Sequence, residues 1–283
     1  MRPQMLAQVV SMSLDEKLER LKSIISGCES AVIAFSGGVD SSLVCAVARE
    51  VLGDRAVAVT AVSPTYPPGE IEMAKEVAKR VDIKHLIIET NELDDPKFVS
   101  NPVDRCYFCK SELLGKLDEI RKKLGFKKIL DGTNYDDLSD FRPGSRALGE
   151  FEVATPLALA GLGKEEVRQL AADYGLPNAD KPANPCLASR IPFGSMITFE
   201  KIKRIAGAES FLRSLGFKVV RVRDHGDLAR VEVGKFELER AFNPGGEIVE
   251  NLKRLGYRFV TIDLEGYRSG SLNSQVNVKI RKR

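Results

Sequence analysis

Apolar and polar positions follow two different periods along the first two thirds of the chain. Short continuous apolar runs rich in valine, isoleucine and alanine predict buried strands, at 31–35, 56–62, 84–89 and 128–130. Before, between and after these runs, apolar residues recur every three or four positions, which predicts amphipathic helices, at 14–25, 43–49, 70–81, 112–124 and 163–174. Because strands and helices alternate, the pattern predicts an α/β fold on a parallel, doubly wound sheet.

The pattern changes after Asn178–Gly194, a segment rich in proline and polar residues that predicts a loop or linker. Beyond it the order is helix, strand, strand, helix and strand, at 198–215, 217–223, 229–233, 246–255 and 257–264. This order is typical of a small α+β domain. We therefore expect two domains, with residues 1–192 in the α/β domain and residues 193–283 in the smaller one.

The turn after the first predicted strand, Ser36-Gly37-Gly38-Val39-Asp40-Ser41-Ser42, is the strongest candidate for chemistry. A strand, a glycine turn and a helix place unpaired backbone N–H groups and a positive helix end beside hydroxyl groups, which favours an anion such as phosphate. The hydroxyls can donate to phosphate oxygens, and Asp40 can hold a Mg²⁺ that screens them. For a lone Ser-Gly-Gly, a capped turn without a ligand is an equal alternative.

Two more polar positions follow predicted strands, at Ser63 and at Asp131-Gly132-Thr133-Asn134. Ligands of doubly wound sheets lie at the carboxyl ends of the strands. We therefore expect these residues on one rim with the Ser-Gly-Gly turn. Asp131 and Asn134 suit a ribose or a substrate, although they equally suit a cap on the next turn.

Three of the five cysteines stand in positions that favour chemistry. Cys106 and Cys109 form a Cys-x-x-Cys pair, which can place two thiolates on one metal or cluster, or form a redox dithiol. Cys186 follows in the segment Pro185-Cys186-Leu187-Ala188-Ser189-Arg190. Two buried thiols without a ligand are an alternative for the pair, because free cysteine is among the most buried residue types. Cys28 and Cys45 fit that alternative better.

Composition and charge exclude several classes of protein. The chain has 283 residues, 43% hydrophobic and 29% charged, as expected for a globular protein with a sizeable core. A net charge of +3 is too small to favour nucleic acid or an anionic membrane, and we interpret the basic residues at 279–283 as a solvated end. No apolar run is long enough to span a membrane. Since residues 1–13 lack a signal sequence, we expect a cytoplasmic location.

Several motifs together resemble one branch of the pyrophosphate-loop ATP pyrophosphatases, the LarE family of ATP-dependent sulfur transferases. The resemblance covers about Leu14 to Asn273, and beyond Ser36–Ser42 it rests on the segments 131–137, 142–146, 185–190, 221–226 and 266–270. It implies an adenine nucleotide alpha-hydrolase-like fold for the first domain. It also implies cleavage of ATP with Mg²⁺ to AMP and pyrophosphate, with ATP bound by Ser36, Gly37, Gly38, Asp40, Ser41, Ser42, Ser63, Asp131 and Thr133.

The family makes a thiocarboxylate on pyridinium biscarboxylic acid mononucleotide, for the nickel pincer cofactor of lactate racemase, and it uses two sulfur strategies. In one, the cysteine that matches Cys186 gives up its own sulfur and becomes dehydroalanine. In the other, three cysteines hold a 4Fe–4S cluster whose open iron carries an exogenous sulfide. Because this chain has Cys106 and Cys109 as well as Cys186, it resembles the cluster type, with these three residues as metal ligands. Sacrificial transfer from Cys186 is the alternative.

Arginines in the smaller predicted domain are candidates for the substrate. Arg221 and Arg223 alternate on a predicted strand, so both face one side and suit a phosphate, either the 5′ phosphate of the mononucleotide or pyrophosphate. From the spacing alone, a solvated strand face is an equal alternative. The resemblance favours phosphate binding by these two arginines. It also implies three further substrate residues, Arg268, Glu209 and Glu232.

The resemblance implies catalytic roles for Asp40, Cys186 and Arg223. It implies a mononucleotide carboxylate and a sulfide source as partners, and we expect a homo-oligomer that binds neither nucleic acid nor membrane. A related pyrophosphate-loop thiolase or amide synthase that acts on tRNA or another carboxylate is the next alternative, against which the chain shows no basic stripe with interleaved aromatics. A nucleotide- or zinc-binding module without turnover, in which the cysteines are structural, is the remaining one.

Overall fold

The computed structural model of the chain describes residues 12–139, 143–268 and 270–272. Arg142, Ser269 and the basic tail lie outside these ranges. Within them the chain forms two compact units. The described residues of the first unit fall within Met1–Ser63, Gly69–Thr90 and Cys106–Ala183, and those of the second fall within Pro64–Pro68, Asn91–Arg105 and Asn184–Arg283. The second unit thus contains two early segments as well as the C-terminal third. The sequence predicted instead that each domain is one continuous segment, with a single boundary between residues 192 and 193.

The strands agree with the apolar runs, and most helices begin and end within a few residues of the predicted bounds. The strands are β1 (Ala31–Ala34), β2 (Ala56–Val62), β3 (Lys84–Glu89), β4 (Lys128–Leu130), β5 (Val220–His225), β6 (Leu228–Val233) and β7 (Phe259–Ile262). The helices are α1 (Leu14–Ser26), α2 (Val39–Leu52), α3 (Glu70–Val81), α4 (Pro96–Val99), α5 (Arg105–Leu124), α6 (Ser145–Glu150), α7 (Pro156–Ala160), α8 (Lys164–Asp173), α9 (Phe199–Ser214), α10 (Leu238–Phe242) and α11 (Gly245–Arg254).

The first unit is organised around a four-stranded parallel sheet in the order β3-β2-β1-β4. The chain proceeds outward from β1 through β2 to β3 and then returns to place β4 on the other side of β1. The strand order therefore reverses between β1 and β4, and such a switch point opens a crevice at the carboxyl ends of the two strands. The predicted parallel α/β sheet is confirmed.

Helices cover both faces of this sheet, as the term doubly wound requires. Along β1, Ile33 packs into one hydrophobic core with Leu43 of α2, while Val32 packs into a second core with Leu114 and Leu117 of α5. All five side chains are fully buried. Since successive strand residues point to opposite faces, an unbroken apolar run is what a strand covered on both sides needs.

The second unit contains a three-stranded sheet in the order β5-β6-β7, antiparallel between β5 and β6 and parallel between β6 and β7. Its core joins alternate β5 residues, Val220 and Val222, to Leu212 of α9 and Leu252 of α11. The smaller sheet predicted beyond the linker is thereby confirmed. The arginines between these valines point to the other face of β5.

Candidate functional site

The turn after β1 presents backbone groups and serine hydroxyls at the rim of the first sheet. β1 ends at Ala34 and α2 begins at Val39, so Phe35, Ser36 and the two glycines make the whole connection. Gly37 has a φ of +71°, and a Cβ there would lie 3.0 Å from the backbone oxygen of Glu70. A side chain at Gly37 would therefore be both strained and crowded. The turn exposes the amino end of α2, which attracts anions.

Hydroxyl and amide groups fix the shape of this loop. The Ser36 backbone N–H donates to Ser41 Oγ over 3.2 Å, and the two serine Oγ atoms are also 3.2 Å apart. The buried Asn178 donates from Nδ2 to the Gly37 carbonyl over 2.8 Å and to Ser42 Oγ over 2.9 Å. The loop is thus held in one conformation by side chains from both of its ends and from a distant segment.

The segment after β4 packs directly against the loop. A Cβ on Gly132 would lie 2.8 Å from the backbone nitrogen of Ser41, so this position also excludes a side chain. The buried Asn134 donates from Nδ2 to Asp40 Oδ1 over 2.9 Å and orients that carboxylate. Ser63 directly follows β2, the neighbour of β1 on its other side. The predicted ATP-binding residues therefore occupy the carboxyl ends of three adjacent strands.

Asp131 is a buried carboxylate at this rim. Its Oδ2 accepts from Lys110 Nζ over 2.5 Å, and its Oδ1 accepts from the Thr133 backbone N–H over 3.0 Å. Burial alone would raise the pKa of Asp131, but the Lys110 charge and the Thr133 hydrogen bonds outweigh it and hold the pKa below its ordinary value. Asp131 is therefore charged at neutral pH and suits a donor such as a ribose hydroxyl.

Cys106 and Cys109 lie one turn apart on α5, in the first unit. Residues at this spacing share one helix face, and the side chains are exposed and half-buried respectively. The sequence predicted this helix only from Glu112, so it missed that the pair is helical. Cys45, in contrast, is fully buried on α2, and burial raises the pKa of its thiol. Cys45 is a core residue, as the sequence favoured.

Cys186 lies in the second unit, half-buried and directly before the short turn Leu187–Arg190. Its backbone carbonyl accepts from the Ser189 N–H over 3.0 Å and from Arg190 Nη1 over 3.2 Å. Arg190 is completely buried and also donates to the carbonyl of Pro185 over 2.6 Å. The Arg190 guanidinium therefore fixes the backbone on both sides of the Cys186 side chain.

Glu209, a predicted substrate residue, has its carboxylate engaged by groups of the second unit. It accepts from Arg190 Nε over 2.8 Å, from Arg213 Nη2 over 2.9 Å and from the Val222 N–H over 3.1 Å. Burial alone would raise the pKa of Glu209, but Arg190 and the other nearby arginines lower it. This geometry supports a positioning role, in which Glu209 joins α9, β5 and the Cys186 segment.

A cavity of about 180 Å³ lies in the second unit, and its lining includes both Arg221 and Arg223. The Arg223 Nη2 pairs with the buried Glu232 over 2.7 Å. Arg221 is also buried, and burial together with the neighbouring Arg190 lowers its pKa to about 10, so it keeps its charge at neutral pH. The two arginines that alternate on β5 therefore reach one positively charged space.

Arg268, another predicted substrate residue, is placed differently. Its guanidinium forms an ion pair with Glu265, and 43% of its side chain is exposed. Among the described residues that line the cavity, its neighbour Tyr267 is present and Arg268 is not. The structure thus brings Arg221, Arg223 and Glu232 together and leaves Arg268 at the surface.

Comparison with known proteins decides the family. A family model described as NAD synthase matches residues 13–99, which include the Ser-Gly-Gly loop. Pyridinium-3,5-bisthiocarboxylic acid mononucleotide synthase of Lactiplantibacillus plantarum is 35% identical over 92% of this chain and 95% of its own length. The chain belongs to the LarE family. LarE proteins are ATP-dependent enzymes of the pyrophosphate-loop superfamily that transfer sulfur, and the predicted family is confirmed.

Two uncharacterized relatives share most of the same length. A protein of Synechocystis sp. is 47% identical over 92% of this chain and 98% of its own length. A protein of Methanocaldococcus jannaschii is 32% identical over 84% of this chain and 90% of its own length. These relatives extend through both units, so the family resemblance is not confined to the ATP loop. None of the described helices is long and apolar enough to cross a membrane.

The side chains of this chain can be compared with the ligands that Mg²⁺ and a 4Fe–4S cluster would need. Asp40 fits Mg²⁺, because this ion is held by one or two carboxylates together with substrate phosphates, and Asp40 lies in the first turn of α2. For a 4Fe–4S cluster the fit is incomplete. Among the described residues no group of three His, Cys, Asp or Glu side chains is arranged to hold a metal ion. Cys106 and Cys109 belong to the first unit and Cys186 to the second.

Four side chains that contact or line the candidate site were not predicted from the sequence. Arg105 and Lys110 flank the Cys-x-x-Cys pair, and their basic character beside a reactive motif was a usable signal. Arg190 ends the Cys186 segment, and its position in that motif was equally visible. Asn178 carries no local signal, because its contacts with the loop are made across more than a hundred residues.

Proposed function

We propose that this chain adenylylates a carboxylate of pyridinium-3,5-biscarboxylic acid mononucleotide and converts it to a thiocarboxylate, for the nickel pincer nucleotide cofactor of lactate racemase. The observation that carries the proposal is the glycine and hydroxyl loop after β1, which Asn178 fixes in shape and which packs directly against Gly132 after β4. The 35% identity to the mononucleotide synthase of Lactiplantibacillus plantarum supports the choice of substrate.

The first step is adenylyl transfer at the Ser36–Ser42 loop. A carboxylate oxygen of the substrate attacks the α-phosphorus of ATP, the bond to the β-phosphate breaks, and pyrophosphate leaves. The loop N–H groups and the serine hydroxyls stabilise the charge that develops on the departing pyrophosphate. Asp40 would hold a Mg²⁺ ion, which would screen the negative charge of the phosphates, and Asn134 orients the Asp40 carboxylate for this role. The product is an acyl adenylate.

The second step is transfer of sulfur to the activated carbonyl. In the route that needs only this chain, the Cys186 thiolate attacks the acyl carbon, the bond to the AMP oxygen breaks, and AMP leaves. A base then removes the Cα proton of Cys186 and the Cβ–S bond breaks. The products are a thiocarboxylate and dehydroalanine at position 186. Arg190 supports this route because it fixes the backbone carbonyls of Pro185 and Cys186.

We propose further that Cys106, Cys109 and Cys186 hold a 4Fe–4S cluster, so that free sulfide supplies the sulfur and Cys186 is preserved. The support is the number of cysteines and the spacing of Cys106 and Cys109 on one helix face. The described residues do not present the complete ligand set. For that reason no step of the reaction is assigned to the cluster.

The two steps can be separated with Asp40→Asn and Cys186→Ala. With the mononucleotide dicarboxylate, ATP and sulfide under anaerobic conditions, the parent protein should release pyrophosphate and form thiocarboxylate. Asp40→Asn should lose both products, because activation precedes sulfur transfer. Cys186→Ala should still release pyrophosphate and should form no thiocarboxylate. Pyrophosphate release and mass spectrometry of the mononucleotide measure the two steps independently.

The same samples decide the source of sulfur. Bound iron and inorganic sulfide, with an intact Cys186 after turnover, would support the cluster. A loss of one H₂S from Cys186 on turnover would replace the cluster with the sacrificial route. An iron-free protein that makes thiocarboxylate in the Cys186→Ala variant would contradict both routes, and no release of pyrophosphate with this substrate would contradict the proposed function itself.

A further inference from the structure

The cavity of the second unit has a third arginine in its wall that the proposed function does not use. Arg105 lines the cavity together with Arg221 and Arg223, and Ser189, Phe193 and Tyr267 complete that part of the lining. Among the described residues that line the cavity none is acidic. Pro185, the residue before Cys186, also lines it. Three guanidiniums therefore converge on a space that adjoins the Cys186 segment.

Arg105 is held in the wall rather than extended into solvent. It is only 6% exposed, its Nη1 donates to Asn101 Oδ1 over 2.8 Å, and its guanidinium lies 4.6 Å from the centroid of the Phe193 ring. Its buried Nε has no hydrogen-bond acceptor among the described residues, and the same is true of the Arg223 Nε. Leaving a buried donor unpaired costs free energy, so the two Nε groups indicate an acceptor that the described residues do not supply.

Asn101 shows that this arrangement is built into the unit. It is fully buried, and its φ of +55° lies in the left-handed region that residues other than glycine seldom adopt. Its amide Nδ2 donates to the carbonyls of Pro192 and Ser195 over 2.8 and 2.9 Å, while its Oδ1 accepts from Arg105. A strained and fully bonded residue thus fixes the position of the Arg105 guanidinium.

The charges around the cavity favour an anion with two charges over one with a single charge. Arg223 pairs with Glu232, which also accepts from Arg230 over 3.2 Å, so this carboxylate is shared between two guanidiniums. No carboxylate partner of Arg105 is found among the described residues. A phosphate monoester carries close to two negative charges at neutral pH and three acceptor oxygens. A carboxylate or phosphodiester carries one.

We propose that Arg105 is a specificity-determining residue, which with Arg221 and Arg223 makes the cavity select a terminal phosphate monoester, the 5′ phosphate of a mononucleotide. The choice of a mononucleotide rests on the proposed function, whereas the selection of a phosphate monoester rests on the cavity alone. AMP, the other phosphate monoester of the reaction, is the competing source of the same group. Its expected place is the glycine loop of the first unit.

The test compares a mononucleotide with its riboside, which differ only in the phosphate, and compares both with AMP. Nicotinic acid mononucleotide, nicotinic acid riboside and AMP are titrated calorimetrically into the full chain, Arg105→Gln, Arg105→Lys and the control Arg258→Gln. Arg258 is an exposed arginine of the same unit. We expect the parent protein to prefer the mononucleotide to the riboside roughly tenfold or more, as one charged bidentate contact allows. Arg105→Gln should remove most of this preference without weakening the riboside, Arg105→Lys should restore part of it, and Arg258→Gln should retain it.

A pH series adds a readout that a purely structural role would not change. Because the second pKa of a phosphate monoester is about 6, mononucleotide affinity should fall below that pH in the parent protein and change less in Arg105→Gln. If Arg105→Gln lost affinity equally for the mononucleotide and the riboside, or changed neither affinity, the proposal would be overturned. Dependence of AMP but not mononucleotide affinity on Arg105 would overturn the assignment to the mononucleotide. Mononucleotide selection in a protein that transfers no sulfur would refute only the proposed function.

Discussion

The glycine loop of the first unit and the arginine cavity of the second are both suited to phosphate, but they are built in opposite ways. The loop offers backbone N–H groups, serine hydroxyls and the amino end of α2, with no fixed positive charge of its own. The cavity offers three buried guanidiniums, each held by side chains or carbonyls of its unit. The loop depends on the space that its glycines leave, and the cavity depends on buried positive charge.

This difference suits the order of the proposed chemistry. A leaving group must be bound and then released, and dipolar donors can do this without holding the product through full charges. A substrate that must remain oriented through two successive steps is held better by fixed charges and stacked rings than by dipolar donors. We therefore expect the first unit to depend on the space that its glycines leave, and the second to depend on its buried charges.

The largest effect is expected from Arg190→Gln in the second unit. Arg190 and Glu209 are both buried, and the change removes the main partner of an enclosed carboxylate. Breaking a buried pair from one side costs about 3–5 kcal/mol, and because Arg213 still reaches Glu209 we expect about 3 kcal/mol. Urea unfolding measures this loss in the free energy of unfolding.

Arg213→Gln is the matched control, since Arg213 contacts the same carboxylate from a side chain that is 32% exposed. Solvent screens that contact, so we expect a loss below about 1 kcal/mol. Equal losses for the two variants would show that burial of the Arg190 charge does not distinguish them. The cavity unit would then not depend on buried charge in the way we argue.

The sequence predicted the loop almost completely because its parts are contiguous. Seven consecutive residues contain the glycines, the hydroxyls and Asp40, and local chemistry alone determines that a strand, a bend and a helix follow one another. The parallel arrangement of the sheet followed from the alternation of strands and helices, whereas the strand order β3-β2-β1-β4 came from the structure. Gly132 and Asn134 were placed on the correct rim for the same reason, because parallel strands end at one edge.

The cavity was only half predicted because its residues are far apart along the chain. Arg221 and Arg223 were found through their alternation on one strand, but Arg105 reaches them through a tertiary arrangement that no local period reveals. Asn101, which holds Arg105, does so from a left-handed conformation with no sequence signature. Arg268 is the opposite case. It lies in a motif that matches the family, but in the structure its side chain is at the surface in an ion pair with Glu265.

A smaller effect is expected from Gly132→Ala in the first unit. The new Cβ would lie 2.8 Å from the Ser41 nitrogen, which is backbone and cannot rotate away. Such overpacking costs about 1–3 kcal/mol, and the displaced Ser41 should also weaken ATP binding. Gly115→Ala is the control, because no atom lies within 4 Å of its Cβ and α5 should gain up to about 1 kcal/mol. Unchanged ATP affinity in Gly132→Ala would show that the loop does not depend on this space.

The smallest effect concerns the ion pair of Lys110 with Asp131, at the rim of the first sheet. The folded-state pKa of Asp131 is depressed, so the pair's contribution is present above the unfolded pKa of about 4 and is lost as the pH falls through the folded value. In Lys110→Met the carboxylate stays buried without its cation, and burial then raises its pKa. The variant should therefore be less stable than the parent by about 1–2 kcal/mol at pH 7, and the gap should narrow as the pH falls toward 4. Urea unfolding at a series of pH values measures that gap. A constant gap in the free energy of unfolding would mean that Lys110 acts through packing of its aliphatic chain. The rim of the first sheet would then depend on backbone and hydroxyl groups alone.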